Sequence, residues 1–157
     1  MVKVFLSHQS ADAKVSAEIA ERLSLYGISS YLDVIDRFLN RADDLADHIR
    51  QEMGKCSHLI AVVSEHTRAS QWVPWEIGVA TEKNYPLATY TAGKEPPPEF
   101  LKNWPYLRSK SDVDQYALAT RKANSVYLAK RIALTETAAR RDSTKDFFRI
   151  LKAGLGQ

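Results

Sequence analysis

The sequence predicts an α/β fold, a parallel sheet of about five strands covered by helices on both faces. Three observations carry this. Short β-branched and aromatic runs alternate with longer segments whose apolar residues recur at helical spacing. The run SHLIAVVSE, Ser57 to Glu65, is apolar without alternation, as in a central strand buried on both sheet faces. Right-handed crossovers between successive strands then make the sheet parallel and place helices on either side.

The elements follow in order. VKVFLS (Val2 to Ser7) reads as a buried first strand. Ser10 is placed to cap the next helix, with Asp12 near its positive end. Val15, Ile19, Leu23 and Tyr26 recur at helical spacing, and Gly27 ends that helix. ISSYLD (Ile28 to Asp33) predicts a second strand, and VIDRFLNRA (Val34 to Ala42) a loop of unusual length for an α/β unit. Asp43 or Asp44 caps a second helix with Leu45, Ile49 and Met53 on one face and Gly54 at its end. The third strand, Ser57 to Glu65, leads into ASQWVPWEIGVA (Ala69 to Ala80). Pro74 is tolerated only in a first helical turn, so this helix starts between Ser70 and Trp72, or as late as Pro74. PLATYT (Pro86 to Thr91) is a fourth strand, followed by the Pro-rich loop AGKEPPPEF and a short fifth strand near Tyr106 to Arg108. The pattern Ser111-x-x-Asp114 opens a long basic helix as a capping box. TKDFFRILKAGLGQ supplies a last helix with Phe147, Ile150 and Leu151 inward. Residues 1–157 thus read as one domain, a core over 1–110 with C-terminal helices over 111–157.

Composition narrows the function. A chain with 45% hydrophobic and 26% charged residues is not disordered. Its net charge of +3 comes without a Lys/Arg run interleaved with aromatics, so no nucleic-acid partner is expected. Cys56 is the sole cysteine, which excludes a disulfide framework and a cysteine-rich zinc site within the chain and suits a reducing cytoplasm. His8, His48, His58 and His66 lack metal-site spacing. The first apolar run is too short for a signal peptide, and no run of about 18 apolar residues exists to span a membrane. A cytoplasmic protein with neither metal nor membrane contact is expected.

Parallel sheets bind ligands in the crevice at the carboxyl ends of their strands. That edge receives Ser7 and His8 from the first strand, Asp33 and its loop from the second, and Ser64 with the Trp72–Glu76 helix from the third. Neither GxGxxG after the first strand nor GxxxxGK[ST] is present, and the first strand ends in Ser-His instead of an acidic phospho-acceptor pocket. Ser7 and His8 offer polar groups to a ligand. Asp33 either touches it or orders its own loop as an Asx-turn. Arg37 and Arg41 could meet a pyrophosphate, or remain solvated. Trp72 and Glu76, four apart, share a helical face. Trp72 reads as a stacking platform or a structural brace, with Trp75 a weaker case. Glu76 reads as a reactive acid, or as a first-turn carboxylate favoured by the helix dipole.

Three stretches, in order, carry a family resemblance. VFLSHQSAD is similar to the first box of the TIR domain family, in which a strand ends in a Ser followed by an aromatic residue or His, with an acidic residue soon after. YLDVID resembles the second strand leading into that family's long BB loop, and HLIAVVSEH…SQWVPWEIGVA resembles the third strand and the WxxxE motif, with Trp72 and Glu76 at its ends. The resemblance covers Val2 to Thr91 and is strongest to bacterial stand-alone TIR proteins, including the TIR subunit of the Thoeris anti-phage system. It implies a flavodoxin-like three-layer sandwich with strand order 2-1-3-4-5. It also implies an NAD glycohydrolase or ADP-ribosyl cyclase, with Glu76 catalytic and Ser7, His8, Asp33, Arg37 and Trp72 around the substrate. NAD is then the substrate, with no separate cofactor. Implied partners are further TIR domains, met through the Val34–Ala42 loop, a phage-derived trigger, and a downstream effector that senses the product. Pro74 inside the motif departs from the family pattern. The loop after Asp33 lacks the Gly-Pro common in animal adaptor members, which favours an enzyme. Two alternatives stay open: a non-catalytic TIR interaction module, and a nucleoside-processing transferase on a similar fold.

Overall fold

The computed structural model describes residues 2–32, 42–69, 72–92, 99–130 and 135–157. Five strands, β1 (Lys3–Ser7), β2 (Ser29–Leu32), β3 (His58–Val63), β4 (Leu87–Thr91) and β5 (Tyr106–Leu107), form one sheet in the order β2-β1-β3-β4-β5. Every pairing is parallel. The helices are α1 (Ala13–Ser24), α2 (Ala42–Gly54), α3 (Trp72–Glu82), α4 (Lys110–Lys130) and α5 (Glu136–Leu155).

Strand alternation sorts the core into two layers. Val4, Leu6, Ile60, Val62, Ala88 and Leu107 face α1, α4 and α5, where Leu23, Tyr116 and Phe147 are fully buried. Phe5, Leu59, Ala61, Val63 and Leu87 face α2 and α3, where Ile49, Met53 and Val73 pack. All six residues of β3 are buried, as its unbroken apolar run predicts for a central strand. Each fully buried Leu, Ile or Phe contributes roughly 1.5–3 kcal/mol. This is the three-layer flavodoxin-like sandwich with strand order 2-1-3-4-5.

Four helix starts differ from the sequence reading. Ser10 opens a single 3-10 turn, Ser10–Asp12, so α1 begins at Ala13 with Asp12 in the cap position. Ala42 is already helical, which places Asp43 and Asp44 in the first turn of α2 and not at its cap. At α4 the cap is Ser109, whose hydroxyl accepts from the Asp112 amide at 3.2 Å while Asp112 accepts from the Arg108 amide at 2.7 Å. That box lies two residues upstream of Ser111-x-x-Asp114. Asp114 instead receives two 2.6 Å bonds from Arg22, tying α4 to α1, and Arg22 holds its carboxyl below the usual range. The last helix starts at Glu136, capped by Thr135, well before Thr144. Its first turns are polar, with only Ala139 buried ahead of Thr144, so apolar spacing gives no sign of them.

Both sheet edges are short. On β5, the Gln157 amide pairs with the Tyr106 backbone, accepting from its N–H at 3.1 Å and donating to its carbonyl at 2.7 Å. Gly156, at φ 69°, supplies the left-handed turn that ends α5 and brings Gln157 there. The side chain occupies backbone groups that an edge strand otherwise offers to another chain.

At the opposite, amino edge lies His58, buried with its Nδ1 at 2.9 Å from the Ser57 hydroxyl and its ring edge-on to Phe147. Burial, aided by the Arg140 charge, pushes the imidazole down to about 3 from 6.5. Between those values the unfolded chain binds a proton that the fold refuses. The stabilising effect is therefore complete above the unfolded value and is lost as pH falls toward the folded one. The expected slope is up to about 1.4 kcal/mol per pH unit. Denaturant titrations of the parent and of His58→Phe from pH 7 to pH 4 measure it. The variant should lose stability less steeply, and parallel losses would remove His58 as the cause.

Candidate active site

The site forms where β1 and β3 end. Ser7 is the last residue of β1 and pairs with Ala61 of β3. Because the strands are parallel, α3, which follows β3, starts from this same edge. Ser7, His8 and the first turns of α3 therefore share the carboxyl edge of the sheet.

Ser7 is fully buried, and its hydroxyl has no hydrogen-bond partner among the described residues. By strand alternation it lies on the face of β1 shared by Phe5, the face that α3 covers. Two further hydroxyls lie on that face. Thr89 is aligned with Ala61 and hence with Ser7, and Thr91 is aligned with Val63, one step nearer the edge. Both Oγ1 atoms are buried without a partner among the described residues. A buried hydroxyl left unpaired costs about 1–3 kcal/mol, so a row of them marks a polar strip in an otherwise apolar layer. The sequence reading took PLATYT as a strand only. The register signal was present, because Leu87, Thr89 and Thr91 alternate with Ala88 and Tyr90.

His8 is 1% exposed and donates from Nδ1 to the Leu6 carbonyl at 2.9 Å. In the neutral ring this fixes the tautomer and leaves Nε2 as an acceptor.

Glu76 is the fifth residue of α3 and is 0% exposed. It lies on the stripe formed by Val73, Ile77 and Ala80, the side that packs on β3 and β4. The sequence reading of a first-turn carboxylate steadied by the helix dipole is corrected here. Pro74 does sit in the first turn, but the helix begins at Trp72, which moves Glu76 into the second turn and inward. Burial, not the dipole, dominates its energetics: an ionised carboxylate taken out of water costs several kcal/mol before compensation. Trp72 is half-buried against the α2/α3 core, and Trp75, 36% exposed, meets it edge-on at 5.7 Å. That edge-on contact anchors the Trp72 ring at the start of α3. Asp33, Arg37 and Arg41, with Phe38 and the rest of the Val34–Arg41 segment, lie outside the described residues.

Two residues at this edge, each read alone from the sequence, are paired by the structure. Asp12, 5% exposed, accepts the Ser64 hydroxyl at 2.7 Å. Ser64 follows β3 and begins the turn that leads to α3. A cleft of about 280 Å³ between the end of α3 and the start of α5 contains none of the candidate residues; Lys83, Asn84, Glu136, Thr137, Arg140 and Arg141 line it.

The TIR domain family model matches residues 4–123. The chain belongs to the TIR domain family. The probable 3' cyclic ADP-D-ribose synthase ThsB' of Bacillus cereus (strain MSX-D12) is 34% identical over 79 residues, 48% of this chain and 41% of that protein. The alignment thus spans less than half the length of that relative. A solved structure of a 2-deoxyribosyltransferase from Bacillus psychrosaccharolyticus superposes with a TM-score of 0.57 over 76% of this chain and 95% of that one. At 14% identity this is a likeness of fold. No helix among the described residues is long and apolar enough to cross a membrane.

The burial of Glu76 yields a stability prediction. Glu76→Gln keeps the side chain's size and much of its hydrogen bonding but removes the desolvated charge. Thermal and denaturant unfolding should show no loss beyond about 0.5 kcal/mol and a gain in the usual case of a costly functional residue. A loss above about 2 kcal/mol would identify the ionised carboxylate as a structural brace.

Proposed function

We propose that this protein breaks the nicotinamide–ribose bond of NAD, with Glu76 as the acting carboxylate. The observation that carries the reading is a fully buried Glu on the sheet-facing side of α3, at the carboxyl edge that also receives Ser7 and His8. Family membership and the similarity to ThsB' support it.

One carboxylate suffices for a chemical reason. In NAD the nicotinamide nitrogen is already cationic. When the C1′–N bond breaks, its electron pair goes to the ring and nicotinamide leaves neutral, so no general acid is required. The barrier lies in the oxocarbenium-like ribosyl cation, as in glycoside hydrolysis. A fixed negative charge in a water-poor site stabilises that cation far more than it would in bulk solvent. Water capturing the cation gives ADP-ribose after losing a proton. An atom of the same ADP-ribose capturing it gives a cyclic isomer, the product class in the name of ThsB'. Ser7 and His8 then border the reacting sugar, and Trp72 keeps the α3 corner rigid. A diffusible product of this kind fits a signalling enzyme of anti-phage defence. Contacts between TIR domains, a trigger and a product-sensing effector complete that reading.

Chromatography with mass detection after incubation with NAD tests it. Nicotinamide should appear together with ADP-ribose or a cyclic isomer. Glu76→Gln should bind NAD within a few-fold of the parent and lose on the order of 10²–10³ in turnover. Parental turnover in a folded Glu76→Gln protein would exclude Glu76 as the catalytic residue. A parent that leaves NAD intact when self-assembled and triggered is an interaction module instead.

A further inference from the structure

We propose that Asp12 is a positioning residue for this site: by accepting the Ser64 hydroxyl, it fixes the 3-10 turn Glu65–Ala69, which follows β3 on the way to α3, against the turn that carries His8. The inference rests on Glu76 acting on NAD, and it adds a residue that does not touch the substrate.

The need for such a link is visible in the ladder. The β1–β3 pairing ends with Ser7 opposite Ala61, whereas β3 continues to Val63 paired with β4. Past Ser7, no ladder pair joins the β1 side to the β3 side among the described residues. Yet the reactive geometry requires the two sides to hold still relative to each other, since His8 lies on one and Glu76 is reached from the other.

The Ser64–Asp12 bond spans that gap at 2.7 Å, between residues 52 apart in sequence. A short hydroxyl-to-carboxylate bond in a buried setting is of the charge-assisted kind. The Ser64 hydroxyl also accepts from the His66 amide at 3.1 Å, and the Ser64 amide donates to the Thr67 hydroxyl at 2.9 Å. Thr67 donates in turn to the Val62 carbonyl at 3.4 Å. The turn after β3 is thus held by two hydroxyls, those of Thr67 and Ser64, and Asp12 holds the second. On the other side, the Asp12 amide donates to the Gln9 carbonyl at 2.8 Å, so the carboxylate is anchored one residue from His8's turn.

The geometry of Asp12 itself favours a role beyond local structure. It occupies the cap position of α1, where Asp is among the preferred residues because its carboxylate bonds the first-turn amides. Here it makes no cap bond. The side chain is committed to Ser64 instead.

The test compares Asp12→Ala, Asp12→Asn, Ser64→Ala and the double variant Asp12→Ala/Ser64→Ala. Asp12→Ala should lower kcat for NAD cleavage roughly 10–100-fold with KM within about three-fold, the signature of a misplaced catalytic group. Asp12→Asn keeps an acceptor oxygen and should recover most of the loss, while the double variant should be no worse than Asp12→Ala alone. A merely structural contribution would reduce active enzyme without this split or rescue. Amide exchange gives a readout independent of turnover: His66 and Ser64 should exchange about ten-fold faster in Asp12→Ala, with the β3 amides unchanged. Unaltered exchange at His66 and Ser64, or faster exchange with parental kcat, overturns the proposal. A parent that does not cleave NAD overturns the reading beneath it, and is told apart by the parent assay alone.

Discussion

The parallel pairing of β1 with β3 is the constraint on which the rest depends. Val4 to Ser7 run beside His58 to Ala61, and both strands are buried on both faces. A slip of one residue would exchange Phe5 for Leu6 in the α2/α3 layer and turn Ser7 toward α1 and α4. Two packed cores therefore fix one register. That register decides which polar groups reach the carboxyl edge and which face they take. Ser7 and Thr89 come to lie in one row with Ala61 between them, under the helix that carries Glu76. An alanine at the centre of the row leaves more room there than any larger apolar residue would, and the flanking strands supply the hydroxyls.

This arrangement places the polar strip in the worst location for stability. An apolar layer of Leu59, Val63, Val73, Ile77 and Leu87 surrounds it. Three buried hydroxyls without a partner among the described residues oppose the packing that holds α3 down. Structural economy would fill these positions with Val and Leu. Under the proposed NAD cleavage their polarity would serve chemistry, because low dielectric strengthens a fixed charge and lets one carboxylate stabilise a cation. The rest of the sheet supplies the compensating stability, above all the fully buried β3.

Much of the fold was legible in the sequence because its signals are local. β-branched runs gave the five strands, periodic apolar residues gave the helices, and strand–helix alternation gave the parallel sheet. What local signals could not give is equally specific. At α4 the cap shifted because two serines compete for the same amides, and Ser109 displaced Ser111. The start of α5 was hidden because its first turns face solvent. At the site, Ser7, His8 and Glu76 were legible as residues at one edge of a sheet. The inward turn of Glu76 was also written in the spacing Val73, Ile77, Ala80, which brackets it on a helical stripe. Pro74 marks the helix start and is silent about that stripe.

The Ser64–Asp12 contact belongs to a different class of information. Its partners are far apart in the chain, and each has a local reading of its own, Asp12 as an acid near a helix start and Ser64 as a residue near the end of the third strand. Only the tertiary pairing of β1 with β3 brings them within reach of each other. The same holds for Thr89, an ordinary β-former in an ordinary strand until its register aligns it with Ser7. Residues proposed to carry chemistry stand out by type at an expected position, as Glu76 does beside Trp72. Residues that hold such a group in place are recognised by whom they touch, and that is a property of the fold.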